Sequence, residues 1–353
     1  MLHEFHFQYM QLQDILNCPP EADQNDNFQT NLLLQVLFIS YNFNYYLKVL
    51  VAYFLLMSGE MLMKLQCPIP KILLPIDGRE HSKRAVQFAG CLGASLGESL
   101  SGLTLLHINT EDKRIENKIV PFIDEGEKIL RDLGTEVEIE KLVVSGDPAQ
   151  EIIRIANEGK FSTIIMARRG LSEIKSLLMG SVTNKVIHSA IMQTVYIVGH
   201  KILQDKACLI PKILIPVDGS TYSMRGVENA SCLTAELKAH VSRVTLFRVI
   251  NLTLYLKRIK EGIDPEEESK QILDEAKEVF LHAGIPERLI TTRVKVGQKP
   301  AEEIIKEAEE GQYNLIIMGR KGRSAIEDLI LGGVSSTVLQ HCQDPTVAIV
   351  SSE

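Results

Sequence analysis

One segment of this chain is written twice, and that constrains the fold more than any other feature. CPIPKILLPIDG (Cys67–Gly78) returns as CLIPKILIPVDG (Cys208–Gly219), 141 residues later. The offset persists through Ser82/Ser223, Arg84/Arg225, Ala89/Ala230 and Cys91/Cys232, then becomes 152 for Pro148/Pro300, Gly170/Gly322 and Gly180/Gly332. The second copy therefore carries 11 extra residues between its second strand and its third helix. A gapless match of this length marks a tandem duplication, with domains at 67–200 and 210–353. Any fold must bury two similar cores.

Within each copy short apolar runs alternate with helical spacing. Ile72–Ile76, Leu103–Ile108, Val137–Val144, Thr163–Met166 and Thr194–Val198 read as strands. Between them Ser82–Leu96, Phe122–Leu133, Pro148–Asn157 and Ser181–Ser189 read as helices, and the second copy repeats the order up to Val347–Val350. Continuous apolar strands separated by helices imply a parallel sheet covered on both faces. Right-handed crossovers then give two tandem, doubly wound, five-stranded parallel α/β sandwiches.

The net charge of −7 argues against a surface built to bind nucleic-acid phosphates. Six cysteines are too few for a disulfide scaffold, and none forms a C-x-x-C pair. Cys67, Cys91, Cys208 and Cys232 sit in or beside apolar runs, so buried reduced thiols and a cytoplasmic location are expected. Residues 1–62 form an atypical apolar extension with no arginine. Residues 31–57 are long enough to span a membrane. Three readings stand: a membrane anchor, an amphipathic or disordered appendage, or translation that starts at Met57, Met61 or Met63.

In a doubly wound sheet a ligand sits beyond the carboxyl ends of the strands. The first strand of each copy ends Pro75-Ile76-Asp77-Gly78 or Pro216-Val217-Asp218-Gly219. The fourth ends Ala167-Arg168-Arg169-Gly170 or Gly319-Arg320-Lys321-Gly322. Shortly after come Gly180-Ser181-Val182-Thr183 and Gly332-Gly333-Val334-Ser335, each opening a helix. Glycines let backbone N–H groups close on an anion, a helix N-terminus adds partial positive charge, and hydroxyls donate to phosphate oxygens. The aspartates across the cleft could accept from an exocyclic amine or a ribose hydroxyl, or could cap the following helix. Arg168, Arg169, Arg320, Lys321 and Arg323 either form a solvated loop or face phosphate. His107 has no partner at metal-ligand spacing, and the acidic stretches Glu266–Glu268 and Glu302–Glu310 read as solvent faces.

The spacing G-x2-G-x9-G-[S/T], together with P-x-D-G after the first strand, resembles the ATP-binding branch of the universal stress protein family over residues 67–353. The resemblance implies that the strand-1 aspartate and the end of strand 2 (Ile108, Val249) hold adenine. The first two glycines, preceded by Met166 and Met318, would wrap ribose and the inner phosphates, and the Gly-Ser/Thr pair would hold the terminal phosphate. It also implies ATP, alone or with Mg²⁺, as the ligand, and pairing through the last strands, here Val195–Val198 with Val347–Val350 in one chain; a homodimer stays open. Both copies depart from the pattern. Ala167 replaces the leading glycine, which would cost about 1–2 kcal/mol if that position needs a positive φ. Gly333 replaces the hydroxyl and forgoes a phosphate contact worth roughly 1–2 kcal/mol, with Ser335 and Ser336 as candidate substitutes.

The chain has no G-x-x-x-x-G-K-[ST] and no kinase signature set. A cradle without a placed base implies binding and regulation rather than turnover. Slow ATP hydrolysis or phosphoryl transfer is the alternative, and a nucleotide-free scaffold is a third class.

Overall fold

The computed structural model describes residues 67, 70–110, 113–168, 179–200, 210, 212–237, 240–322 and 331–351. The readings of residues 1–62, and of Arg169, Gly170, Cys208 and Arg323, lie outside these. Both repeats belong to one compact unit, Lys64–Glu353.

The first repeat runs β1 (Lys71–Pro75), α1 (Glu80–Leu96), β2 (Gly102–Asn109), α2 (Lys113–Asp132), β3 (Ile139–Ser145), α3 (Pro148–Glu158), β4 (Thr163–Ala167), α4 (Ser181–Ser189) and β5 (Thr194–Val198). The second runs β6 (Lys212–Pro216), α5 (Thr221–Glu236), β7 (Arg243–Asn251), α6 (Leu252–Lys260), α7 (Pro265–His282), β8 (Ile290–Gly297), α8 (Pro300–Glu310), β9 (Leu315–Gly319), α9 (Gly333–His341) and β10 (Thr346–Val350). Helix α6 is the insertion, capped by Asn251, whose side chain accepts from Thr253 N. Helix α2 starts nine residues before the sequence boundary and runs through Pro121, a residue that usually ends a helix because it lacks an N–H.

Strand order is β3-β2-β1-β4-β5-β10-β9-β6-β7-β8. All pairings are parallel except β5 with β10, which run antiparallel with Ala348 opposite Tyr196. Two five-stranded doubly wound halves thus join into one ten-stranded sheet. The pairing covers what would be an apolar edge in each half, since every residue of β5 and β10 is buried. Alternate strand residues face two cores, and each core runs through both repeats. Leu74, Leu105, Tyr196, Ile215 and Ala348 lie in one; Leu73, Ile164, Ile197, Leu214 and Ile349 lie in the other.

Two sequence expectations are corrected. Cys67, just before β1, is disulfide-bonded to Cys232 in α5, with their Cα atoms 5.4 Å apart. Cys91 is disulfide-bonded as well. Apolar neighbours identify a buried cysteine but not a buried thiol, because a partner 165 residues away leaves no local trace. The inference from reduced thiols to the cytoplasm loses its premise. In the acidic stretch of α8, Glu307 is buried rather than solvent-facing, ion-paired with Arg293 and hydrogen-bonded by the Tyr313 hydroxyl. Among the described residues no helix is long and apolar enough to cross a membrane.

Candidate functional site

In the first repeat the carboxyl ends of β1, β2 and β4 and the start of α4 enclose a cavity of about 320 Å³. Pro75, Ile76, Asp77, Ile108, Met166, Ala167, Gly180, Ser181, Val182 and Thr183 all line it. These residues come from four separate stretches of chain, and parallel strand order brings them together. The residue at the N-cap of α4 is Gly180, which has no side chain to accept from the first-turn N–H groups. An anion at this end of the cavity would satisfy them and meet the positive end of the helix dipole.

Asp77 also lines the cavity. Its Oδ1 accepts from Arg79 N at 3.1 Å and from the Ser82 hydroxyl, while Oδ2 lies 3.3 Å from His81 Nε2 and 3.7 Å from Arg79 Nε. Burial pushes this carboxyl up. Hydrogen bonds from His81 and Ser82, the charge on His81 and the Arg79 N–H outweigh it and hold the group well below the usual carboxylate range. Asp77 therefore organises the β1–α1 turn while exposing part of its carboxylate to the cavity. His107, also on the wall, donates from Nδ1 to Ile76 O at 2.9 Å, fixing the ring against the turn. Arg79, His81, Ser82, His107 and Asn109 were not read as site residues. Ser82 carried a signal, because it recurs as Ser223 at the same distance from the aspartate.

The second repeat brings the corresponding positions together as well. Asp218 Oδ1 accepts from Ser220 N, and a Cβ on Gly322 would lie 2.6 Å from Asp218 Oδ2. Gly332 N donates to Arg320 O, and Gly332 opens α9 with no side-chain cap. The Ser335 hydroxyl is buried and donates to Gly319 O at 3.0 Å, so its proton is committed to the backbone. Lys321 is 3% exposed, with Nζ 5.5 Å from the centre of the Tyr222 ring. Pro216, Val217, Met318 and Gly319 are buried at the strand ends, Val249 is half-buried on β7, Gly333 is exposed and Val334 partly so.

The two repeats differ for a definable reason. A Cβ on Gly319 would lie 2.2 Å from Tyr222 O, and one on Gly226 would lie 3.0 Å from Gly319 N. Helix α5 therefore closes onto the end of β9 only because both positions are glycine. The corresponding pair in the first repeat is Ala85 and Ala167. Two methyl groups cannot occupy that contact, so α1 cannot meet β4 in the same way. Ala167 is absent from the positive-φ residues, as is Gly319, so the alanine carries no backbone strain. The leading position selects helix–strand distance rather than handedness.

Arg168 and Arg320 meet neither expectation set by the sequence. Both are buried, and each reaches the other repeat. Arg168 donates to Leu339 O at 2.6 Å and Cys342 O at 3.0 Å; Arg320 donates to Ala190 O at 3.1 Å and to His188 O.

Comparison with known proteins accords with this geometry. A sequence model described as the universal stress protein family matches residues 68–197 and 210–350. A universal stress protein of Methanocaldococcus jannaschii is 27% identical over 160 residues, covering 44% of this chain and 90% of that protein. Another from the same organism is 34% identical over 117 residues, covering 33% of this chain and 68% of that protein. Among solved structures, a universal stress protein from Archaeoglobus fulgidus superposes with a TM-score of 0.54 at 22% identity, over 81% of this chain and 99% of that one.

Proposed function

Because the chain belongs to the universal stress protein family, we propose that it is a stress-response module whose first repeat binds an adenine nucleotide, with ATP accompanied by Mg²⁺ as the ligand. The observation that carries this reading is the cavity of about 320 Å³, lined both by a partly exposed Asp77 and by the N-terminal turn of α4, whose cap residue is a glycine. Its size lies at the lower end of the range for small-molecule sites. Asp77 would accept from the base or ribose, and the first-turn N–H groups of α4, with the Ser181 hydroxyl, would receive the terminal phosphate. The second repeat is the weaker site, because α5 and Lys321 draw in against the positions where a nucleotide would lie. The paired repeats form one functional unit in solution, supported by the β5–β10 ladder and the bond between Cys67 and Cys232.

The test is isothermal titration of the full chain with ATP and AMP, repeated on Gly180→Glu. Among the described residues a Cβ at Gly180 meets nothing nearer than Thr183 Oγ1 at 3.6 Å, so a glutamate can start there and bring a carboxylate to the phosphate end. We expect ATP binding by the parent and a loss of at least tenfold in the variant. No heat from the parent, and no nucleotide released from it by heating, refutes the proposal. Solution scattering that shows two lobes moving independently refutes the paired unit.

A further inference from the structure

The carbonyl ends of α4 and α9 each receive a guanidinium from the other repeat. Arg320 follows the last residue of β9 and is 1% exposed; its two terminal nitrogens donate to His188 O and Ala190 O, the last carbonyls of α4. Arg168 does the same for Leu339 O and Cys342 O at the end of α9. The 152-residue offset that relates the repeats maps Arg168 onto Arg320 and Ala190 onto Cys342. The Ser351 hydroxyl, after β10, lies 2.9 Å from Ala190 O and 2.6 Å from Gln193 O, so the second repeat grips this corner twice.

These are costly groups to bury. Among the described residues neither guanidinium has a carboxylate in ion-pair contact, and desolvation lowers the pKa of both. What offsets that cost is the helix end itself, where unsatisfied carbonyls carry partial negative charge. A planar fork with donors on two nitrogens matches two carbonyls at once, which an ammonium cannot do.

Helix α4 has nine residues and is about 13 Å long. One end is held by Arg320; the other presents Gly180, Ser181, Val182 and Thr183 to the first repeat's cavity. A short helix moves as a rod, so what fixes its C-terminus also fixes the direction of its N-terminal N–H groups. We propose that Arg320 is a positioning residue for the phosphate end of the first repeat's site, acting across the repeat boundary through α4. This rests on the nucleotide reading above and adds that the second repeat completes the first repeat's site. Because Arg320 leads directly into Lys321-Gly322, a ligand drawn onto the α4 N-terminus would also bear on the second repeat's glycine segment.

The test compares the full-length parent with Arg320→Met and Arg320→Lys. ATP and AMP affinities are measured by titration, and amide hydrogen exchange over residues 181–189 is followed without nucleotide. We expect Arg320→Met to weaken ATP roughly 5–30-fold while AMP, which lacks the terminal phosphate, changes less than about twofold. Exchange in α4 should rise. Arg320→Lys, which can satisfy one carbonyl, should fall between and provides the measurement if the methionine variant does not fold. Equal weakening of ATP and AMP, or unchanged affinities with a lower melting temperature alone, marks a merely structural arginine and overturns the proposal. A parent that binds neither nucleotide overturns the functional reading and this inference with it. A parent that binds both and passes the same ATP-to-AMP ratio to its variants overturns only this one.

Discussion

Removing the bond between Cys67 and Cys232 tests how the repeats are held together. The bond closes a loop of 165 residues that includes all of the first repeat and the beginning of the second. In the chain-entropy treatment, a loop of that length removes on the order of 17 cal/mol/K from the unfolded ensemble, or about 5 kcal/mol at 25 °C, the top of the measured range. Unfolding of a unit of roughly 290 residues at about 2.1 cal/mol/K per residue has an entropy near 0.6 kcal/mol/K, so full loss lowers the melting temperature by about 8 °C. Cys91 is bonded too, and a surviving cross-link already restricts the unfolded chain. The expected order of melting temperatures is therefore parent, then the double variant Cys67→Ser/Cys232→Ser, then fully reduced parent. The assay is far-ultraviolet circular dichroism with and without a phosphine reductant, with thiol alkylation and mass measurement to report which cysteines are bonded. A double variant melting within 1 °C of an intact, bonded parent would refute the entropic reasoning. Alkylation of Cys67 and Cys232 without reductant would refute the bond.

Two further predictions concern the site. Gly319→Ala places a methyl group 2.2 Å from Tyr222 O, a backbone atom that cannot swing away; it should destabilise the protein by about 1–3 kcal/mol in urea unfolding, and an unchanged midpoint would show that α5 is free to step back. Asp77 has its pKa depressed in the folded state, so it contributes stability that is present above the unfolded carboxyl value of about 4 and is lost as pH falls through the folded value. Asp77→Asn should therefore unfold earlier than the parent at pH 7 and at pH 5, with the gap closing below pH 4. A gap that widens on acidification contradicts the assigned hydrogen bonds.

Much of the architecture is visible in the sequence because its causes are local. The bounds of Ser181–Ser189 and Thr194–Val198 can be read residue for residue. Asp147 followed by Pro148 likewise announces the start of α3, with the Asp147 side chain accepting from Gln150 N. Ten of the residues lining the first cavity are also legible, since a parallel sheet collects strand ends at one side, whereas Arg79, His81, Ser82, His107 and Asn109 are not. What is hidden depends on contacts far along the chain. Arginines beside glycines look solvated until a helix end from the other repeat is brought to them, as with Arg168 and Leu339, 171 residues apart.

The duplication supplies an internal comparison that makes some of these contacts readable after all. Taken alone, Ala167 looks like a damaged glycine motif. Set beside Ala85, and against Gly226 with Gly319, it is half of a matched pair: two methyl groups stand at the positions where two hydrogens let α5 close onto β9. The same logic extends to strand 2, where His107 lines an open cavity and its counterpart Arg248 is buried, with Nε 2.8 Å from the Ser269 hydroxyl. A missing glycine in the motif therefore marks a different helix–strand contact and is not by itself the loss of a site.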